Sequence, residues 1–206
     1  MKHFVQDIFP TPIYFGKMER NFSNKEMEFV KQNSEKLNKN TFNYNSKNTD
    51  VLEDSSMSDI KKFVIDHIKN YKEVILSIKD NVDFYITQSW LNYTKENEMH
   101  HDHYHPNSII SGVFYFNVDN KYDSITFSKD KQKNIIQFSE PLKYNNYNTQ
   151  DVTIPVSNGL LVLFPSNLNH RVSLKKGNNF RVSLAFNTFI KGELNHPPGL
   201  QYLKIN

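Results

Sequence analysis

There is no cysteine among the 206 residues of this chain. That absence excludes disulfides, thiolate zinc sites and cysteine nucleophiles together. Any metal must therefore be held by nitrogen and oxygen. No apolar run approaches the ~18–20 residues that a membrane-crossing helix requires, and the opening MKHFVQDIFPTPIYFGK lacks the apolar segment of a secretory signal. Charge of one sign is also scarce. The balance of 25 Lys and Arg against 22 Asp and Glu leaves +3, with lysines scattered among acids. No basic stripe of the kind that tracks nucleic acid results. Internal repeats and low-complexity linkers are missing too. The expectation is a soluble, cytoplasmic protein with no nucleic-acid and no membrane partner; its oligomeric state is not legible.

What the chain does have is aromatic mass, 16 Phe and 11 Tyr, which suits pleated, half-buried surfaces. The length fits one domain, residues 1–206. Residues 1–82 read as an N-terminal strand with helical support, 83–190 as a β core and 191–206 as an irregular tail. Phe9 to Gly16 reads as extended. Ser23 to Lys39 reads as a helix capped by Ser23 or Asn24, and Asn38 to Asp54 as loop. Ser58 to Ser77 is a stronger helix, because Ile60, Phe63, Val64, His67, Ile68, Tyr71, Val74 and Ile75 recur at helical spacing. From Val82 the period becomes two. Short strands are expected near Ser108–Asn117, Ser124–Ser128, Asn134–Phe138, Asp151–Pro155, Gly159–Phe164, Arg171–Leu174 and Phe180–Phe189. Asn158-Gly159 and Gly177-Asn178 carry the hairpin signal of two positive-φ positions. Many short strands with regular turns imply a sandwich or closed barrel.

The chemistry concentrates in His100-His101-Asp102-His103-Tyr104-His105, which holds four of the eight histidines. An isolated His170 lies far downstream, and Arg181 follows it across the Gly177 turn. A mononuclear iron site takes two ligands close together and a third from a distant strand, leaving positions open for oxygen and a co-substrate. An arginine supplies a fixed cationic fork for a carboxylate. Residues i and i+2 of a strand share a face. Three close pairs are therefore open: His100 with Asp102, His101 with His103, and His103 with His105. The Pro106-Asn107 break, followed by a new strand, favours His103 and His105, with His170 as third ligand. Three neutral imidazoles suit Fe, Zn or Cu.

Several stretches together resemble a known family. They are Phe9-Pro-Thr-Pro-Ile, Trp90-Leu-Asn92, His103-Tyr-His105-Pro-Asn-Ser108, Ser111-Gly-Val-Phe-Tyr115, Gly159-Leu-Leu-Val-Leu-Phe-Pro-Ser166, His170, and Arg181-Val-Ser183-Leu-Ala-Phe-Asn187. In this order they resemble the 2-oxoglutarate/Fe(II) oxygenases of marine phage and bacterial genomes, which are related to prolyl hydroxylases. The resemblance implies an α+β, mainly β, fold: a double-stranded β-helix (jelly roll) buttressed by two N-terminal helices. It implies Fe(II) and 2-oxoglutarate, with substrate hydroxylation coupled to release of succinate and CO2, in the host cytoplasm if the chain is phage-encoded. His103 and His170 match the first and last metal ligands of the wider superfamily. The acidic middle ligand falls on His105, so that either His105 binds, or Asp102 or a water fills that corner. Arg181 matches the grip on the far carboxylate of 2-oxoglutarate, and Ser183 the hydroxyl beside it. Tyr115 and Tyr93 fall where phenols meet the co-substrate, with Asn92 competing against Tyr93 for the inward face.

Two other readings stand beside this one. A cupin-like three-histidine metalloenzyme without an oxo-acid would leave Arg181 without a purpose, and a non-catalytic jelly-roll binding module would need no metal. Trp90 reads as packing, His67 as a core-edge histidine, and Lys129-Asp-Lys-Gln-Lys133 as a solvated turn. The prime substrate is not named by the sequence.

Overall fold

The computed structural model describes residues 1–79, 81–129 and 140–206. Among them the strands are β1 (Tyr14–Lys17), β2 (Leu37–Lys39), β3 (Tyr44–Ser46), β4 (Asn81–Thr94), β5 (His100–His103), β6 (Ile110–Asn117), β7 (Ser124–Ser128), β8 (Asp151–Pro155), β9 (Leu160–Pro165), β10 (Asn169–Val172), β11 (Arg181–Leu194) and β12 (Leu203–Ile205). The two α-helices are α1 (Asn24–Asn33) and α2 (Ser58–Asn70). The expected strand Asn134–Phe138 and most of the Lys129–Lys133 turn lie outside the described residues.

Two antiparallel sheets face each other. The larger runs β1-β9-β6-β11-β4-β3-β2, with β12 pairing β11, and the smaller runs β5-β10-β7-β8. The mainly β, double-stranded β-helix expectation matches this arrangement of two sheets and two helices. In the central strand β6, Ile110 to Phe116 are all buried because both faces are covered. Alternation sends Phe114 and Phe116 to one side and Val113 and Tyr115 to the other. Phe114 and Phe116 join Leu91, Leu184 and Phe186 under Val30, Ile60, Val64 and Ile68 of the helices. Val113 and Tyr115 meet Ile125, Phe127, Val162 and Phe164 between the sheets. The helices thus brace one face of the large sheet and leave the other free to form a pocket.

Helix α1 starts in a capping box. The Ser23 hydroxyl accepts from Glu26 N–H, and the Glu26 carboxylate accepts from Ser23 N–H at 2.6 Å. It ends at Asn33, six residues before the expected Lys39. The Asn33 amide donates to Phe29 O and the Ser34 hydroxyl to Lys31 O, competing with the helix's own ladder. Leu37–Lys39 then pair with Tyr44–Ser46. The expected loop Asn38–Asp54 thus contains a hairpin and a buried 3-10 turn at Val51–Glu53, elements too short to show a period. Helix α2 continues as a π-turn, Tyr71–Leu76, that ends on left-handed Ser77.

The turns also differ from expectation. At Asn158-Gly159 only Gly159 has positive φ, +76°, and Leu160 N–H donates to Ser157 O. This is the pattern of a type II turn, not type I′. Asn158 instead uses its side chain, which accepts from Val118 N–H. Gly177 and Asn178 have no positive φ. That loop is built around the buried Lys175, which donates to Gly177 O and Asn179 Oδ1 and faces Asp123. The tail is not wholly irregular, because β12 pairs with the end of β11. No helix among the described residues is long and apolar enough to cross a membrane.

Candidate metal centre and co-substrate pocket

His103 and His170 are cross-strand partners in the small sheet, their ring centroids 4.2 Å apart. His105 lies just past the end of β5, held by its N–H donating to Ser166 O at 2.8 Å. The Pro106-Asn107 turn, with Asn107 left-handed at φ +57°, carries the chain from there toward β6 in the large sheet. The three imidazoles therefore bridge the open ends of both sheets. Each offers a ring nitrogen, and all three lie within 4.8 Å of one another.

The hydrogen bonds fix the tautomers. His103 Nδ1 is 2.8 Å from His101 O, and His170 Nδ1 is 3.0 Å from Leu168 O. A carbonyl can only accept, so both Nδ1 atoms carry the proton and both Nε2 lone pairs are free. His105 Nδ1 lies 2.6 Å from Asn187 Oδ1 and 2.7 Å from Ser111 Oγ. Ser111 also donates to that Asn187 oxygen, and Ser166 and Ser108 extend the chain of hydroxyls. Orienting contacts of this kind on the far ring nitrogen are typical of metal-ligating histidines. Burial holds the His170 pKa down to about 3 and that of His105 to about 4, with the neighbouring His103 adding to both shifts. His103 is lowered as well, chiefly by burial. Neutral imidazoles are the form that binds metal.

Asp102 does not face this cluster. It accepts from Arg171 at 3.3 Å and from Ser128 at 3.2 Å on the outer rim. Nor do alternate residues of β5 share a face. Register passes from His170/His103 to Val172/His100, so two residues, His101 and Asp102, oppose Arg171 alone. This bulge breaks the period-two rule on which the strand pairs rested. It stacks His100, not His101, on His103, with centroids 4.4 Å apart and planes at 14°. His100, His101 and His103 form a second group of ring nitrogens within 4.8 Å of one another, sharing His103 with the first group. His101 is exposed near Phe42.

Beside the histidines lies a narrow cleft, with a cavity volume of about 40 Å³, whose lining includes His100, Trp90, Asn92, Tyr115, Arg181 and Ser183. Its floor follows from sheet register. Ser183 of β11 pairs with Asn92 of β4 on one side and Tyr115 of β6 on the other, and Arg181 stands two residues along the same face. Arg181 is 2 % exposed, with its guanidinium carbon 5.3 Å from the Tyr115 ring. No acid among the described residues pairs with it. Its Nε, the Tyr115 hydroxyl and Asn92 Oδ1 are buried without hydrogen-bond partners. Burial raises the Tyr115 phenol to about 12, with Arg181 opposing the rise. Buried polar atoms are nearly always satisfied, so the two donors, Arg181 Nε and the Tyr115 hydroxyl, mark a place for an anionic group, while Asn92 Oδ1 calls for a donor.

Tyr93 is a correction. Its odd position turns it to the helix side, where its hydroxyl donates to Val30 O at 2.6 Å and its ring packs on Phe180. Asn92 takes the inward place. Trp90, read as packing, lies on the pocket wall with its ring 6.1 Å from that of His105. Its parity with Asn92 was the available signal. The orienting roles of Asn187 and Ser111 had no signal beyond their place in the quoted motifs.

Two facing sheets with a histidine cluster at one open end and a buried arginine beside it define a jelly-roll metalloenzyme scaffold. Residues 88–187 match the family described as "Putative 2OG-Fe(II) oxygenase". Over that segment, which carries all three histidines, Arg181 and Asn187, the chain is similar to this oxidoreductase family. Members of the family use Fe(II) and 2-oxoglutarate. Three solved structures share the fold. A Pseudomonas putida prolyl-4-hydroxylase is 13% identical, with TM-score 0.53 and coverage of 86% of this chain and 92% of that one. The α-ketoglutarate-dependent epimerase SnoN of nogalamycin biosynthesis is 10% identical, with TM-score 0.60 and coverage of 92% and 83%. Iron-bound HygX from Streptomyces hygroscopicus is 11% identical, with TM-score 0.54 and coverage of 95% and 92%. No curated protein sequence matches the chain.

Proposed function

We propose that this chain is an Fe(II)- and 2-oxoglutarate-dependent dioxygenase that hydroxylates a substrate presented at the open end of the sheets. His103, His105 and His170 hold the metal through Nε2. Arg181 receives the far carboxylate of the oxo-acid, with Ser183 and Tyr115 donating beside it and Asn92 lining the same wall. When bound, the iron supplies oxygen activation coupled to oxidative decarboxylation of the oxo-acid to succinate and CO2. The protein's own part is positional: its carbonyl and amide acceptors fix the imidazole tautomers, Arg181 sets the reach of the dicarboxylate, and Trp90, Val113 and Ala185 keep the wall between them apolar. In this reading residues 1–206 act as one domain, with 83–190 as the working core.

The observation that carries the proposal is the buried Arg181 guanidinium, unpaired by any described acid, on the wall next to three free imidazole nitrogens. A buried charge without a partner is strongly unfavourable, and a dicarboxylate chelating the metal relieves it. A three-histidine enzyme that takes no oxo-acid would leave that charge uncompensated. The test is anaerobic calorimetry of 2-oxoglutarate into Co(II)-loaded protein, followed by oxygen-dependent succinate release from the iron form. Tight binding that disappears in Arg181→Ala supports the assignment. Equal affinity in that variant overturns it.

A further inference from the structure

The histidine cluster lacks negative charge at two successive layers. As ligands, His103, His105 and His170 are neutral. Their Nδ1 hydrogens go to His101 O, Asn187 Oδ1 and Leu168 O, three uncharged acceptors. Among the described residues no carboxylate lines the pocket. The nearest acids are engaged elsewhere. Asp123 is buried with Lys175, and Asp102 and Asp151 meet Arg171 at a rim where their side chains are 44% and 42% exposed, so water screens them.

Arg171 also lines the pocket, but Asp102 and Asp151 pair with it at the rim, so the unpaired positive charges are the two of a divalent ion and the one of Arg181. An oxo-diacid cancels two of them. One remains, in a space walled by Trp90, Val113 and Ala185, where uncompensated charge is costly. Resting on the reading above, we propose that the centre takes one further monoanionic group beside the metal, in addition to the oxo-acid. A free small anion could present that group, or a carboxylate carried by the prime substrate. The pocket then selects anionic substrates because the protein has left their counter-charge unmet. His100, a stacked imidazole on the lining with no protein hydrogen bond of its own among the described residues, is a donor within the same cleft.

The test uses the full chain loaded with Co(II) and 2-oxoglutarate without oxygen, at constant ionic strength. Sodium azide probes a free anion and sodium benzoate a substrate-borne carboxylate. The Co(II) visible spectrum and the fluorescence of Trp90, the single tryptophan, report binding. Saturable binding of one equivalent is expected. It weakens at least tenfold in Asn187→Asp, which adds a negative charge behind His105 while leaving all three ligand side chains in place. His105→Asp, which puts the charge into the donor set, serves as a second variant should the first fold poorly. A response to azide assigns a free-anion position at the metal, and a response to benzoate alone assigns the charge to the substrate. No saturable binding of either, or equal affinity in the charged variants, overturns the proposal. Failure of wild-type protein to bind Co(II) or 2-oxoglutarate instead overturns the reading on which it rests, and this proposal with it.

Discussion

His105 and Asn187 stand 82 positions apart and share a 2.6 Å hydrogen bond between Nδ1 and Oδ1. The contact ties the strand-exit histidine of one edge to the long β11 of the large sheet, next to the register shift between Asn187 and Thr188. It fixes which nitrogen of His105 faces the pocket. Because Ser111 donates to the same oxygen, the amide carbonyl is held from two sides.

Replacing Asn187 by Leu removes that acceptor while keeping similar bulk. Loss of an orienting partner of a ligand histidine lowers metal affinity by about 10–100-fold. Calorimetric titration with Ni(II) should show a drop in that range, with the melting temperature reported alongside to separate misfolding from mis-orientation. Unchanged Ni(II) affinity would remove His105 from the donor set.

Arg181 separates geometry from charge. Arg181→Ala should weaken 2-oxoglutarate binding by about 2–5 kcal/mol, the usual loss when one partner of a buried charge pair is truncated. Arg181→Lys keeps the charge but loses the planar two-pronged fork, and should fall between wild type and Ala. Trp90 fluorescence in the Co(II) form gives both affinities. Lys matching wild type would mean that a point charge suffices and that the fork is unused.

Much of the architecture was legible because its signals are periodic. The apolar stripe of α2 and the limits Ser124–Ser128 and Asp151–Pro155 coincide with the structure. Arg181 and Ser183 came from the family resemblance, and both lie on β11 in the pocket lining. The strand period failed where registry departs from two. The β5 bulge stacks His100 on His103, and only the partner strand β10 defines that bulge. Tyr93 and Asn92 differ by a single step of parity, which sequence spacing alone left open. Strands β2 and β3, three residues each, are too short for any period and exist through pairing of β3 with β4 and of β2 with β3. Asn187 acts on His105 through a contact between distant segments, for which a single sequence carries no spacing rule.

The titration of the cluster gives a pH prediction with a definite sign. His170 and His105 have folded values of about 3 and about 4, below the ordinary 6.5, mainly through burial. A depressed histidine stabilises the fold at pH above its unfolded value, and that contribution is lost as pH falls from about 6.5 toward the folded value. Metal-free protein should therefore melt at progressively lower temperature below about pH 6.5. Proton competition for the folded site is correspondingly weak. Three solvated histidines would lose on the order of a thousandfold in metal affinity at pH 5.5. Here Ni(II) affinity, measured at pH 7.5 and at pH 5.5 where the fold persists, should change only a few-fold. A thousandfold loss would show that these imidazoles are not buried in solution.

Tyr93 and Tyr115 lie on neighbouring strands that flank β11 and present hydroxyls to opposite sides of the large sheet, which makes them a matched pair. Tyr93→Phe strips the donor from Val30 O, one of the last four carbonyls of α1, which a helix cannot satisfy by itself. A buried acceptor left open costs about 1–3 kcal/mol, so the melting temperature should fall while 2-oxoglutarate affinity stays at the wild-type level. Tyr115→Phe removes a buried hydroxyl that faces only the Arg181 guanidinium and makes no well-formed hydrogen bond, so stability should change little. In exchange the pocket loses a donor beside Arg181, and 2-oxoglutarate should bind about 10–100-fold more weakly, the worth of one hydrogen bond to a charged group at about 1.5–3 kcal/mol. Thermal melts and calorimetry on the two variants check both halves. The opposite pattern, with Tyr93→Phe impairing the oxo-acid and Tyr115→Phe only the fold, would reverse the assignment of the two faces of the sheet.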